Sequence, residues 1–457
     1  MMESLISPVL AAVVAIGTWS FYAVCLQSPR QPAWPKIKQH EAYRQHVTPI
    51  KKMCPSLTTF DDFTPVGDKQ PVQNVPAFFK SHGNEFSVYT IDWEQESVVL
   101  IRPVNGTDLK KDPFFCQAQR QNATEVLVVP IEELQAVADV VSDKVSHVQE
   151  VFVFNTARCG STLLTQAVEA SPVAQAASEP LVFDLIFHQI LRLRRGSPSP
   201  HNAAAVLRDE ETAVSLLRNV VSLLNYYLIT SDQPHRSVVV YKFMAQPILV
   251  ADIVFRAFPD AKTVFLYRNG LEVYESWVHV MFKHHIIYTV FKLTIRLGLW
   301  KLAPKLPELF RFFGDDPRFS TIRYHGSPVH YLMTLWVGAM QCAVQLQREN
   351  PQYFFHAVVH YKALVRRKEG AIRELMEKLA IEWRKDDHGE ERIKSAFVED
   401  SQAGAFQSSG RSRPGEKWRP QSSSWMGTWE REYICDVCRK SGNDIVDPDV
   451  ILPDTMM

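Results

Sequence analysis

The sequence predicts an α/β protein built on a central parallel sheet, preceded by a β-rich extension and an N-terminal apolar helix. Residues 151–168, VFVFNTARCGSTLLTQAV, read as a short buried strand, a glycine-containing turn and an amphipathic helix. Residues 261–277, AKTVFLYRNGLEVYESW, repeat that order, and SVVVYKF at 237–243 supplies a strand between the two. Strands that alternate with helices point to a parallel sheet, because a parallel crossover needs a connection of helix length.

In chain order, the first element is Leu5–Leu26, which carries no charged residue and closes with Trp19, Phe21 and Tyr22. About 20 apolar residues cross a bilayer as a helix, so residues 1–28 are expected to form a membrane anchor. Arg30, Lys36, Lys38, Arg44, Lys51 and Lys52 follow it, which favours a cytoplasmic body; the sequons at Asn105 and Asn122 favour a lumenal one. Pro29, Pro32 and Pro35 read as an extended stalk, and alternating strands between residues 84 and 131 make 29–147 a stalk and β-rich extension. Residues 148–400 form the main α/β domain in this reading. The stretch 401–424, rich in Ser, Gly and Arg, makes 401–457 a flexible tail.

Composition narrows the function. Lys plus Arg number 50 and Asp plus Glu number 50 in 457 residues, so there is no basic field to coat nucleic acid. Seven cysteines are too few and too scattered for a disulfide scaffold.

The turn at 155–162 carries the chemistry. A strand, a glycine turn and a helix aim backbone N–H groups at one point, and the helix dipole favours an anion there. Against the nucleotide-hydrolysing pattern G-x-x-x-x-G-K-[ST], Gly160 takes the second glycine, Ser161 stands where lysine belongs and Thr162 takes the hydroxyl position. The missing lysine argues against ATP or GTP hydrolysis. Arg158 enters two residues before the glycine instead.

This loop resembles that of the sulfotransferase family, a P-loop NTPase-like three-layer fold. In that family a basic residue, a small residue, glycine and two hydroxyl residues hold the 5′-phosphosulfate of PAPS (3′-phosphoadenosine 5′-phosphosulfate). The matching residues here are Arg158, Cys159, Gly160, Ser161 and Thr162. The family also binds the 3′-phosphate with an arginine at a strand end and a serine eight residues on, which fits Arg268 and Ser276. Residues 358–381 resemble the family's late strand, turn and helix, and are expected to carry packing and not chemistry. The resemblance implies PAPS as sulfate donor and no metal, with the pattern nearest to membrane-anchored Golgi-type members and hence a secretory-pathway lumen.

Sulfuryl transfer needs a base for the acceptor proton and cations on the leaving phosphate. Arg158 and Lys242, the latter on the strand at 237–243, are the cation candidates. Cytosolic members carry a histidine two residues beyond a strand lysine; that position is Met244 here. Golgi members place a glutamate shortly after the loop helix, and Glu179 matches it as candidate base.

The remaining features are read as weaker. His279, His284 and His285 are not spaced as ligands on one helix face, and 284–305 reads as a basic amphipathic lid, a membrane-surface helix or a packed helix. The uncharged run 326–346 reads as a core helix. Cys435 and Cys438 form a lone C-x-x-C with no second pair for zinc, and Cys159 is a small loop residue or an activated thiol. Arg411, Arg413, Lys417 and Trp418 resemble a basic cofactor-closing segment with the wrong glycine spacing. Three activities follow: PAPS-dependent transfer to a hydroxyl or amine acceptor, a non-catalytic nucleotide-binding or scaffolding module on the same fold, or a nucleotide kinase, which Ser161 disfavours.

Overall fold

The computed structural model describes residue 34 and residues 41–50, 57–196, 203–230, 236–282, 285–297, 328–350, 354–381, 389–398, 425–440, 445 and 447–457. The expected anchor at Leu5–Leu26, His284 and the basic residues of 401–424 lie outside these. Among the described residues no helix is long and apolar enough to cross a membrane.

Five strands, β1 (Tyr43–Pro49), β2 (Phe63–Pro71), β3 (Ser87–Asp92), β4 (Ser97–Pro103) and β5 (Ala123–Pro130), form an antiparallel sheet in the order β2-β1-β5-β4-β3. The last three occupy the alternating stretches of the sequence. The first two lie earlier in 29–147, outside the alternating stretch 84–131. Tyr43, Gln45 and Val47 point inward along β1 at a spacing of two, and Trp34 stacks on Phe60 with ring centroids 3.8 Å apart. β2 escaped the pattern because it is exposed over nearly its whole length and holds Pro65, Gly67 and Pro71, the composition of an edge strand.

Six further strands, β6 (Gln149–Asn155), β7 (Ala174–Ser178), β8 (Val238–Lys242), β9 (Lys262–Tyr267), β10 (Ala357–His360) and β11 (Thr455–Met456), form a wholly parallel sheet in the order β11-β10-β9-β6-β8-β7. Alternation sorts its side chains. Val151, Val153, Val240, Val264 and Leu266 face the helices Ser161–Glu169 and Glu369–Lys378. Phe152, Phe154, Tyr241, Phe265 and Tyr267 face the other way, into a core that includes the helices Glu210–Thr230 and Pro328–Glu349 and runs on into the antiparallel sheet. Fully burying each of these Phe rings contributes about 1.5–3 kcal/mol. The result is helix, sheet and helix in three layers. The helix Glu210–Thr230 joins the two sheets, with Tyr226 against Phe79 and Tyr227 against Phe115.

The carboxy-terminal region departs from the expected tail. Residues Thr428–Lys440 are a helix that buries Ile434, Val437 and Cys438, and residues 455–456 are β11, paired with β10 at Val358↔Thr455 and Val359↔Met456. The polar stretch before residue 425 hid a sequence with enough apolar residues to join the core. Cys435 and Cys438 are free thiols on that helix.

Because every strand of the second sheet runs the same way, Asn155, Ser178, Lys242, Tyr267 and His360 all end at one edge. The chain steps from β6 to β7, back to β8, and then across β6 to β9, so the direction of winding reverses beside β6. Ligands of such sheets bind outside the carboxyl ends at that reversal.

Candidate functional site

The loop leaving β6 is wound tightly. Ala157, Arg158 and Gly160 all have positive φ, at 57°, 48° and 84°, and Gly160 is the residue immediately before the helix Ser161–Glu169. Left-handed backbone at non-glycine residues costs about 1–3 kcal/mol and is held only where the surroundings enforce it. Asn155 enforces it here: its Nδ2 donates to the carbonyl of Phe243 at 2.7 Å, and its Oδ1 accepts from the N–H of Ala157 at 2.8 Å. The last side chain of β6 thus ties the loop to the end of β8. Ser161 and Thr162 are buried in the first turn of the helix.

Gly160 has a second reason to be glycine. A Cβ built there would come within 2.6 Å of the Tyr361 ring. Tyr361 opens the helix Tyr361–Arg367 after β10, and the guanidinium of Arg268 lies over its face, 4.3 Å from the centroid. The segment 358–381, expected to carry packing alone, therefore places an aromatic ring between the loop and Arg268. His360 caps that helix, its Nδ1 accepting from the N–H of Lys362 at 3.1 Å. Burial, and then the Lys362 charge, lower its pKa to about 4, which keeps the acceptor nitrogen neutral.

Arg268 stands at the carboxyl end of β9, as the strand reading requires. Its Nε donates to Glu272 Oε2 at 2.7 Å, and its carbonyl accepts from Trp336 Nε1 at 2.8 Å. Ser276, two turns along the helix Gly270–Phe282, has its Oγ 3.0 Å from Arg158 Nε. The structure thus joins the loop arginine to the expected 3′-phosphate serine, and Arg268 pairs with Glu272. Glu272 carries no sequence signal beyond its i,i+4 spacing from Arg268. Trp277 lies under Arg158 at 5.8 Å.

Lys242 and Glu179 meet at the neighbouring strand ends. Lys242 Nζ donates to Glu179 Oε1, and the N–H of Glu179 donates to the Lys242 carbonyl at 2.8 Å. Glu179 is held at φ 57°, a further left-handed residue at this edge. Lys242 is 3 % exposed and Glu179 14 %, so a buried ammonium is paired with a partly buried carboxylate. Asp184 lies in the first turn of the helix Val182–Arg194; burial first, and the nearby Glu179 charge second, hold its carboxyl well above the usual range.

Cys159 is fully buried, and burial pushes its thiol up, which removes the activated-thiol reading. His279 packs at a tilt against Trp425, ring centroids 4.2 Å apart, with Glu275 at 3.6 Å, and His285 meets the same tryptophan at 5.4 Å, so these two histidines serve the packing of the carboxy-terminal region.

No family model matches the chain, and no curated protein matches it. Solved structures do. A sulfotransferase from Alicyclobacillus acidocaldarius is 15% identical over 64% of this chain and 94% of its own, with a TM-score of 0.31. A sulfotransferase from Mycobacterium tuberculosis H37Rv is 13% identical over 57% and 78%, with a TM-score of 0.29. A retinol dehydratase in complex with androsterone and the inactive cofactor PAP is 14% identical over 66% and 82%, with a TM-score of 0.30. Scores of this size carry no argument, and a functional reading has to stand on the loop and strand ends of this chain.

Proposed function

We propose that this protein transfers a sulfuryl group from PAPS to a hydroxyl or amine acceptor. The observation that carries the proposal is the left-handed loop 157–160, which delivers Arg158, Ser161 and Thr162 to the amino end of a helix with no lysine among them. A loop of this shape suits a phosphate, and the absence of the lysine separates it from loops that hold a β,γ-phosphate pair.

The residues fit the donor. Loop N–H groups and the Ser161 and Thr162 hydroxyls suit its 5′-phosphate, and Arg268 with Ser276 suits the 3′-phosphate. The donor supplies the sulfuryl group and leaves as PAP (adenosine 3′,5′-bisphosphate). Arg158 and Lys242 would hold the charge that develops on the leaving phosphate. Glu179 would take the acceptor proton; to do so it must exchange its bond with Lys242 for one with the acceptor, and Lys242 is then free to face the bridging oxygen. The reading keeps Leu5–Leu26 as a membrane anchor on its sequence alone.

A second reading is a module that binds the nucleotide without transfer. It is favoured by the fact that Lys242 is already held by Glu179 and Arg268 by Glu272. Incubation with labelled PAPS and a panel of carbohydrate, protein and small-molecule acceptors separates the two. Transfer to at least one acceptor supports the enzyme; tight PAP binding with no product across the panel refutes it.

A further inference from the structure

Four consecutive residues present the Arg268 side chain, and the last eleven residues of the chain hold three of them. The Tyr267 hydroxyl accepts from the N–H of Leu452 at 3.0 Å and lies 2.9 Å from Thr455 Oγ1. Asn269 Nδ2 donates to Asp449 Oδ1, and the N–H of Gly270 donates to the Pro448 carbonyl at 2.9 Å. The remaining residue is Arg268 itself, whose carbonyl is held by Trp336. Asn269 is the hinge of the set. While its amide nitrogen is on Asp449, its Oδ1 accepts from the N–H of Glu272 at 3.1 Å and so starts the helix that carries both Glu272 and Ser276. Asp449 is itself steadied by Arg431 Nη2 at 2.8 Å. Space around the turn is closed as well: a Cβ at Gly270 would meet Pro448 and Trp336, each at 3.1 Å.

We propose that the carboxy-terminal segment 447–457 is a positioning clamp for Arg268, acting through Asp449 and Asn269; this rests on the assignment of Arg268 to the 3′-phosphate. With Asp449 in place, the Asn269 amide is fixed in one orientation, the first turn of the helix is capped, and the arginine leaves the strand end in one direction. Without it the amide can rotate, and Arg268 samples directions that miss a phosphate. Asp449 is a positioning residue, since it touches no reacting group.

The test uses the full chain and two nucleotides that differ at one phosphate: PAP and adenosine 5′-monophosphate, each titrated by calorimetry. The Asp449 side chain is 50% exposed, so its replacement leaves the core intact. Asp449→Ala is expected to weaken PAP about five- to tenfold, a coupling of the size found within one hydrogen-bond network, and to leave the monophosphate unchanged. Asp449→Asn keeps an oxygen that can accept from Asn269 and is expected to restore most of the PAP affinity. In an Arg268→Ala background, Asp449→Ala is expected to add nothing. An unchanged ratio of PAP to monophosphate affinity in Asp449→Ala, or an equal loss for both nucleotides, overturns the clamp and leaves the 3′-phosphate assignment standing. Full PAP affinity in Arg268→Ala overturns that assignment, and the clamp falls with it.

Discussion

Gly160→Ala tests the loop where its geometry is tightest. The residue sits at φ 84°, and a methyl group there meets the Tyr361 ring at 2.6 Å, a distance that no rotation at Gly160 relieves. The left-handed backbone costs an L-residue about 1–2 kcal/mol, and forcing a methyl into a packed ring adds about 1–3 kcal/mol, so Gly160→Ala should destabilise the protein by about 2–5 kcal/mol. Gly106 separates the two effects, because it has φ 79° and nothing within 4 Å of the added carbon. Gly106→Ala should therefore show the backbone cost alone, about 1–2 kcal/mol. Equilibrium urea unfolding of the two variants reads the difference. Repeating Gly160→Ala in a Tyr361→Ala background removes the ring, and the cost there should fall to that of Gly106→Ala. The contact has a functional reading too, since moving Tyr361 moves the surface on which Arg268 lies, and PAP affinity should drop with stability. A Gly160→Ala protein no less stable than Gly106→Ala would refute the close approach of loop and ring.

Other expected outcomes follow from the strand ends. Glu179→Gln keeps an oxygen for Lys242 but cannot take a proton, so turnover with PAPS should fall about 10²–10⁴-fold with PAP affinity unchanged; equal loss of both in steady-state kinetics and calorimetry would assign Glu179 to binding. Arg158→Ala should lower kcat about 10²–10³-fold, the size found when one donor to a developing charge is removed, and a change confined to KM would count against its role on the leaving group. Stability should also depend on His188. Burial, then the charges of Arg192 and Arg195, lower its pKa from 6.5 to about 3, so the neutral ring is favoured in the fold. Its contribution is present above pH 6.5 and is lost as pH falls toward about 3; His188→Gln should flatten that part of a stability profile measured by urea unfolding, and an unaltered slope would show the histidine to be protonated alike in both states.

What the sequence made legible was local in the chain. The strand, turn and helix at 151–168 and the spacing from Arg268 to Ser276 are short patterns whose chemistry depends on neighbours a few residues away. The illegible parts join distant residues. Lys242 and Glu179 are both readable as candidates, but their ion pair requires β7 and β8 to lie side by side, which the pairing Ser178↔Lys242 establishes. Arg158 and Ser276 were assigned to opposite ends of one nucleotide, and their bond spans 118 positions. Tyr361 and Asn155 lie inside the stretches that the motifs cover, but their roles were illegible, because a tyrosine after a strand and an asparagine before a turn are ordinary residues until the loop closes on them. β11 is two residues long, too short to show any periodicity, and exists only because β10 offers an open edge.

The position of β11 also orders events in time. A nascent chain that has been made through β10 can assemble five strands of the parallel sheet, the loop at 157–160 and the Glu179–Lys242 pair, all from residues already synthesised. Pro448, Asp449, Leu452 and Thr455 are made well after β10, so the turn at Arg268 can reach its final form only once β11 has been made and has docked onto β10. A chain cut short before Pro448 would keep nearly all of its core and lack that step, because of the residues beyond it only Leu452 and Met456 are buried apolar side chains. Maturation of the arginine turn is thereby placed after the assembly of the strands that flank it.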